Sequence, residues 1–197
     1  VLFRSMTGLR EAIRRIAAAD VDVLVEGETG TGKELVARLL HREGPRRGRP
    51  FIAVNCGALS EATAEIELFG HAADSVAQTR LARDGQIVAS NHGTLLLDEI
   101  DSMPLAIQAK LLRVLEEREV QPIGADRPTA IDLHVIATTK TDLREASEAS
   151  RFRPDLYYRL APVRLRVPPV RERGDDRLLL FAAFLDEARA ALGRSDI

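Results

Sequence analysis

The sequence has few of the features that anchor a chain in a membrane or cross-link a secreted domain. Its 197 residues include one cysteine, Cys56. A single cysteine cannot form an internal disulfide, which fits a reducing cytosol. No apolar run approaches membrane-spanning length, and we find no secretory signal. We therefore expect a cytoplasmic protein.

An excess of charge of one sign is also absent. The chain has 28 basic and 30 acidic residues, a net charge of −2. Without a basic excess, DNA binding would require another domain. The apolar fraction of 45% is sufficient for a core, and 197 residues fit one domain or one domain plus the start of a second. The chain begins abruptly, and we expect it to be an excised piece of a longer protein.

The clearest motif is a glycine-rich loop between a β-branched run at residues 21–25 and a helix-like run at residues 34–41. The loop consists of Gly27, Glu28, Thr29, Gly30, Thr31, Gly32, Lys33 and Glu34. Its glycines let successive backbone amides point at one anion, and Lys33 can reach the β- and γ-phosphates. The loop matches G-x-x-x-x-G-K and predicts a nucleotide site, although Glu34 replaces the usual magnesium-binding hydroxyl.

Strands alternate with helices through the rest of the chain, as their patterns predict. Further strands are predicted at residues 51–55, 94–98, 131–138 and 163–167, and helices at residues 9–19, 33–43, 60–69, 104–118 and 175–192. This order predicts an α/β fold with a mostly parallel sheet between helices. Ligands of such sheets bind at the carboxyl ends of strands. Those ends carry the glycine-rich loop, Asn55, Asp98 with Glu99, and Thr138 with Thr139.

Two acids close the buried run at residues 94–98. Asp98 can hold Mg²⁺, directly or through water, where the ion bridges the β- and γ-phosphates. Glu99 can orient and deprotonate a water that attacks the γ-phosphate. Taken alone, the pair could be surface acids that cap a helix. The upstream loop favours the nucleotide site.

The motifs together resemble the AAA+ ATPase domain of bacterial enhancer-binding proteins, the activators that work with sigma-54 RNA polymerase. The strings that carry the resemblance are G-E-T-G-T-G-K-E at 27–34, V-N-C at 54–56, E-L-F-G-H at 67–71, G-T-L-L-L-D-E-I at 93–100, F-R-P-D-L-Y-Y-R-L at 152–160 and P-P-V-R-E-R at 168–173. The family loop reads G-E-[ST]-G-T-G-K-E, so Glu34 is a family feature. The resemblance implies an AAA+ P-loop NTPase with a five-stranded parallel sheet in residues 1–173, followed by a truncated helical lid in residues 174–197.

The resemblance also implies roles for single residues. Asn55 corresponds to the switch residue that hydrogen-bonds the catalytic glutamate, and Thr139 to the sensor of the γ-phosphate. Lys140 stands where the family commonly has asparagine. Arg153 and Arg159 correspond to two fingers that enter the neighbouring subunit's site.

For the whole protein, the resemblance implies ATP and Mg²⁺ as ligands and hydrolysis of ATP to ADP and phosphate in an oligomer. That oligomer is a ring, by family a hexamer and sometimes a heptamer. RNA polymerase holoenzyme is the expected partner, and DNA is expected to bind through a domain outside this chain.

One family loop is replaced. Where the family has G-A-F-T-G-A, which contacts sigma-54, residues 74–79 read D-S-V-A-Q-T. The aromatic ring and both glycines are lost, which predicts that remodelling of sigma-54 is lost as well. Two alternatives stay open: a nucleotide-dependent oligomerisation switch in a regulator that acts with the housekeeping polymerase, and an AAA+ remodeller outside transcription. The strings at 67–71 and 152–160 favour transcription, because they are not generic to AAA+ proteins.

Overall fold

The computed structural model describes residues 6–73, 75 and 81–192, which form alternating strands and helices. The strands are β1 (Val23–Glu26), β2 (Phe51–Asn55), β3 (Gly70–His71), β4 (Arg83–Asp84), β5 (Thr94–Asp98), β6 (Glu119–Val120), β7 (Thr129–Ala130), β8 (His134–Thr139) and β9 (Val163–Arg166). The helices are α1 (Met6–Ala17), α2 (Lys33–Glu43), α3 (Glu61–Phe69), α4 (Gln86–Ala89), α5 (Leu105–Glu117), α6 (Leu143–Glu148), α7 (Pro154–Leu160) and α8 (Asp176–Leu192). Among these described helices, none is long and apolar enough to cross a membrane.

Within the described residues, five of these strands form one parallel sheet in the order β2-β5-β8-β1-β9. β1, β5 and β8 are almost completely buried, as expected for parallel strands covered on both faces. The register places Asn55 beside Asp98 and Glu26 beside Thr139, so the carboxyl ends of neighbouring strands meet at one edge. The predicted fold class is confirmed.

The core lies on both faces of this sheet, because successive side chains of a strand point in opposite directions. On one face, Leu95 and Leu97 pack with α3, α5 and α7. On the other, Leu96 and Ile136 pack with α1 and α2. The helices therefore cover both faces of the central strands. This packing fixes the positions of the strand ends that carry the predicted site relative to one another.

Several element boundaries differ from the predictions. α1 spans Met6–Ala17 rather than residues 9–19, and β8 begins at His134 rather than at residue 131. The sequence patterns did not predict α6 or α7. α6 has a strong local signal, because the Asp142 side chain accepts hydrogen bonds from the backbone amides of Arg144 and Glu145. α7 likewise begins at Pro154, the position in a helix that proline favours.

Several apolar side chains on the helices are exposed. Leu105, the first residue of α5, is 49% exposed. In α7, Tyr157 is buried, whereas Tyr158 is 75% exposed. α8 forms where a helix was predicted, but its Leu178 and Phe181 are exposed. Helical spacing finds the helix, and the neighbouring elements decide which of its faces is covered.

Candidate functional site

The glycine-rich loop connects β1 to α2 at the carboxyl edge of the sheet. Gly30 and Gly32 have φ values of 78° and 88°, the left-handed region that glycine adopts without a steric penalty. The Thr31 hydroxyl donates to the carbonyl of Glu28 at 2.8 Å, which closes the turn. α2 follows directly, so its first backbone amides and its dipole lie at the loop, an arrangement that binds anions.

Lys33 lies within this loop. Its Nζ donates to the carbonyl oxygens of Gly27 at 2.8 Å and Glu28 at 3.0 Å. Burial lowers the pKa of Lys33, while nearby carboxylates, Asp98 foremost, oppose that shift. The ammonium therefore lies within electrostatic range of the acids that follow β5.

Glu34 does not point at the loop. Its carboxylate accepts hydrogen bonds from the Arg38 guanidinium at 2.7 and 3.0 Å, one turn further along α2. An acid in the first turn complements the helix dipole, and the pair with Arg38 has the favourable i,i+4 spacing. In this chain, the position that departs from the general P-loop pattern stabilises the helix that supports the loop.

The end of β8 fixes the orientation of the acids after β5. The Thr138 hydroxyl donates to Asp98 Oδ1 at 2.5 Å and accepts from the backbone amide of Glu99 at 3.1 Å. The Thr139 hydroxyl lies 3.0 Å from Asp101 Oδ1 and 3.0 Å from the carbonyl of Thr141. Sequence reasoning assigned no role to Thr138 or Asp101. Their one signal was that polar side chains occupy adjacent strand ends.

Glu99 has a strained backbone and a specific partner. Its φ of 53° lies in the left-handed region, which non-glycine residues seldom adopt. Its Oε2 accepts from Lys140 Nζ at 2.7 Å. The Asn55 side chain instead accepts from the backbone amide of Gly57 at 2.9 Å and caps a short 3-10 turn. The structure therefore brings Asn55 and Glu99 to the same edge, and the side-chain donor to Glu99 among the described residues is Lys140.

The donor set fits Mg²⁺ bound together with phosphates. In the described residues, no group of three or more His, Cys, Asp or Glu side chains is placed to hold a metal ion alone. Mg²⁺ bound to a nucleotide needs only one or two carboxylates, because phosphates and waters complete its coordination. Asp98 supplies a hard oxygen ligand of this kind. Bound Mg²⁺ would neutralise negative charge on the phosphates.

Two predicted finger residues lie away from this cluster. Arg159 Nη1 donates to Asp22 Oδ2 at 2.7 Å, just before β1 and thus at the amino edge of the sheet. Arg153 precedes α7 and forms an ion pair with Asp155 at 2.7 Å. In the described part of the chain, neither guanidinium contacts the glycine-rich loop or Asp98. The structure therefore does not bring these arginines into their own subunit's site.

Two arginines in the segment after β9 contact the glycine-rich loop. The sequence patterns assigned neither of them a role. Arg171 forms two hydrogen bonds to the Glu28 carboxylate, at 2.7 and 2.5 Å. Arg173 is 6% exposed and donates to the carbonyl of Thr31 at 2.5 Å. Burial lowers the pKa of Arg173. Arg173 also lines a cavity of about 330 Å³ between α1 and α8, whose walls are largely apolar, so this cavity adjoins the loop.

Cys56 has no place in the chemistry. It is fully buried after β2, and burial together with Asp98 raises the pKa of its thiol to about 12. A thiol with such a pKa is not a nucleophile near neutral pH.

A parallel α/β sheet, a strand-loop-helix phosphate cradle with Lys33, and carboxylates at the end of a neighbouring strand define a P-loop NTPase of the AAA+ type. The family model "Sigma-54 interaction domain" matches residues 3–166. The chain therefore belongs to the sigma-54 interaction domain family.

Known relatives are transcription regulators. The chain is 51% identical over 181 residues to the C4-dicarboxylate transport transcriptional regulatory protein DctD of Pseudomonas aeruginosa, covering 92% of this chain and 39% of that protein. It is 48% identical over 192 residues to the anaerobic nitric oxide reductase transcription regulator NorR of Escherichia coli, covering 98% of this chain and 38% of that protein. The chain thus spans about two fifths of the length of these relatives.

Solved structures agree on the fold. The crystal structure of NtrX from Brucella abortus superimposes with a TM-score of 0.89 at 32% identity, covering 96% of this chain and 42% of that one. NtrX has also been solved in complex with ATP, at a TM-score of 0.85, 32% identity and coverage of 93% of this chain and 41% of that one. The P-loop NTPase domain of the sigma-54 transport activator of Escherichia coli, 19% identical with a TM-score of 0.56 over 83% of this chain and 94% of that one, shares the fold.

Proposed function

We propose that this chain is the ATP-binding and ATP-hydrolysing module of a bacterial transcription regulator. The observation that carries the proposal is the placement of Lys33, within the phosphate cradle and within electrostatic range of the carboxylates that follow β5. A P-loop lysine facing such carboxylates is the arrangement that phosphoryl transfer requires. The complexes of NtrX with ATP and with ADP support ATP as the nucleotide.

Each part of ATP has a counterpart on the protein. The loop amides and Lys33 bind the phosphates, and Asp98 would hold Mg²⁺. The apolar cavity beside Arg173 has room for the adenine base. Arg173 lines this cavity and also donates a hydrogen bond to the carbonyl of Thr31 in the loop. Glu99 acts as the general base that takes a proton from the attacking water, and Thr138 holds its backbone in position.

The active species is a ring. Arg153 and Arg159 lie outside their own site, which suits a role in the site of a neighbouring subunit. Such fingers stabilise the charge that develops on the transferred phosphoryl group. By family, the ring has six or seven subunits. On this proposal α8 is the first helix of a helical lid, with the boundary near residue 173.

ATP turnover is the test. We expect turnover per chain to rise with protein concentration, and Lys33→Ala to weaken ATP binding at least about tenfold, because it removes a charge-assisted contact to phosphate. The matched control is Lys110→Ala, since Lys110 is also partly exposed and forms an ion pair, with Glu65, away from the loop.

Turnover that is unaffected by Lys33→Ala would rule the proposal out. Nucleotide-dependent assembly without turnover would instead identify the oligomerisation switch. Measurement of assembly by sedimentation in parallel with phosphate release separates the two.

We also propose that the module has lost its coupling to sigma-54. Five of the six residues at 74–79 lie outside the described residues, so this proposal rests on the sequence D-S-V-A-Q-T. We expect the full-length protein to hydrolyse ATP without activating a sigma-54 promoter, and to gain activation when these residues are replaced by G-A-F-T-G-A. The measurement is transcription in a purified system, with replacement by six alanines as the control. Strong activation by the natural sequence would refute the loss.

A further inference from the structure

Lys140 lies between Glu99 and the start of the glycine-rich loop. It follows β8 directly, and its Nζ lies 2.7 Å from Glu99 Oε2. Neither side chain is fully buried, with 38% of Lys140 and 31% of Glu99 exposed. Lys140 also lines a cavity of about 570 Å³ together with Gly27 and Glu28 of the glycine-rich loop. The lysine therefore borders the space next to the phosphate cradle.

The backbone of Lys140 is anchored while its side chain is not confined. The carbonyl of the preceding Thr139 accepts from the amide of Gly27 at 3.2 Å, and the amide of Lys140 lies 3.4 Å from Asp101 Oδ1. These contacts tie the end of β8 to the start of the loop. The ammonium then has a flexible four-carbon stem with which to change partners.

Among the described residues, the side-chain hydrogen bond to Glu99 comes from Lys140 and not from Asn55. Its side-chain oxygen is used by the Gly57 amide. A Cβ placed on Gly57 would lie 3.2 Å from both Asn55 Oδ1 and Glu99 Oε2, so two acceptor oxygens face this glycine. The hydrogen bond that Glu99 Oε2 accepts comes from the Lys140 ammonium.

The electrostatics connect Lys140 to the phosphate position. The charge of Lys140 contributes to the lowered pKa of Lys33, behind the larger effects of burial and of the nearby acids, so the two ammonium groups share one region. The hydrogen bond to Glu99 raises the pKa of Lys140, which stays cationic. Partly exposed ion pairs are weak, whereas a triphosphate brings several negative charges into the same region.

We propose that Lys140 is a γ-phosphate sensor that exchanges Glu99 for the γ-phosphate of ATP. While Lys140 donates to Glu99, that carboxylate oxygen is occupied. Binding of a triphosphate draws the ammonium away and frees Glu99 to accept a proton from water, whereas a diphosphate does not. This inference rests on the proposed ATPase function. It means that Lys140, a residue outside the family pattern, couples the presence of the γ-phosphate to the availability of Glu99 as the general base.

The test measures the affinity of four forms of the chain for ADP and for ATPγS. The forms are wild type, Lys140→Asn, Glu99→Gln and the double variant. Each affinity is measured by competition against a fluorescent nucleotide with Mg²⁺ present. We expect Lys140→Asn to weaken ATPγS about tenfold and ADP less than about twofold, the size of one lost charged contact. Lys140→Arg should retain most of the preference for ATPγS. Lys110→Asn is the control for loss of a partly exposed lysine elsewhere.

The sign of the coupling between the two residues is the decisive readout. If Lys140 must leave Glu99 to reach the phosphate, Glu99→Gln tightens ATPγS more when residue 140 is lysine than when it is asparagine, by at least about threefold. If the pair instead persists with ATP, the gain is smaller with lysine, and the inference is wrong. Equal weakening of ADP and ATPγS by Lys140→Asn also overturns it. Failure of the wild type to bind either nucleotide rejects the proposed function together with this inference.

Discussion

Replacement of Glu99 by glutamine is expected to lower ATP turnover by about 10²–10⁴-fold, the usual contribution of a general base, without weakening ATP binding. Glutamine matches glutamate in size and can occupy the same left-handed backbone position, which the hydrogen bond from the backbone amide of residue 99 to the Thr138 hydroxyl holds in place. Its amide cannot take a proton from the attacking water. The measurements are phosphate release at saturating ATP and nucleotide affinity on the same preparation.

Glu65→Gln is the matched control. Glu65, like Glu99, is a partly exposed carboxylate paired with a lysine, but it lies in α3 beside α5, away from the loop. We expect it to leave turnover within about twofold of wild type, as for most surface substitutions. If Glu99→Gln also stayed within that range, Glu99 would not be the base. Asp101, which lies beside Thr139 and the backbone of Lys140, would then be the next carboxylate to test.

The parts of the site that the sequence predicted are those whose signal is local. The proposed phosphate cradle consists of eight consecutive residues, so their spacing alone carries the prediction. Asp98 and Glu99 were selected in the same way, because they end a continuous apolar run. The parallel sheet also follows from local patterns, since each buried strand reads as an apolar run and topology rules align their carboxyl ends.

The parts that were missed depend on contacts between distant residues. Thr138 meets Asp98 across 40 positions, and Arg173 meets Thr31 across 142. An arginine in a loop is usually solvated, so the sequence gives no sign that Arg173 is buried. Only the folded chain shows that it packs against the glycine-rich loop. The contact between Lys140 and Glu99 was missed for a similar reason. The sequence shows only that Lys140 departs from the family pattern, and the folded chain places its ammonium on the Glu99 carboxylate.

β1 shows the same limit at a strand boundary. Val21 and Asp22 read as part of the strand, but the strand begins at Val23. The Asp22 carboxylate is used elsewhere, since it accepts from the amide of Val135 at 2.8 Å and from Arg159 at 2.7 Å. This pairing also determines how the finger prediction has to be tested.

Substitution of Arg159 by alanine is expected to destabilise the fold by about 3 kcal/mol, the lower end of the cost of breaking a buried ion pair. Asp22 is only 7% exposed and would lose its closest cation. Arg118, whose Nη2 lies 4.0 Å from Asp22 Oδ2, keeps the cost at that lower end. The measurement is the free energy of unfolding in denaturant. Loss of turnover in this variant alone therefore cannot be assigned to a missing finger.

A second substitution separates the two effects. Asp22→Asn removes the buried charge and keeps an acceptor for Val135, so the double variant Asp22→Asn/Arg159→Ala should recover most of the lost stability. If Arg159 acts in the neighbouring site, the recovered fold still hydrolyses ATP slowly at concentrations where wild type assembles. Recovery of turnover together with stability would show that Arg159 is structural.

Arg153→Ala completes this comparison, because an exposed ion pair such as that of Arg153 with Asp155 contributes little to stability. We therefore expect this variant to fold and assemble like wild type. If Arg153 is a finger, the assembled variant hydrolyses ATP more slowly than wild type.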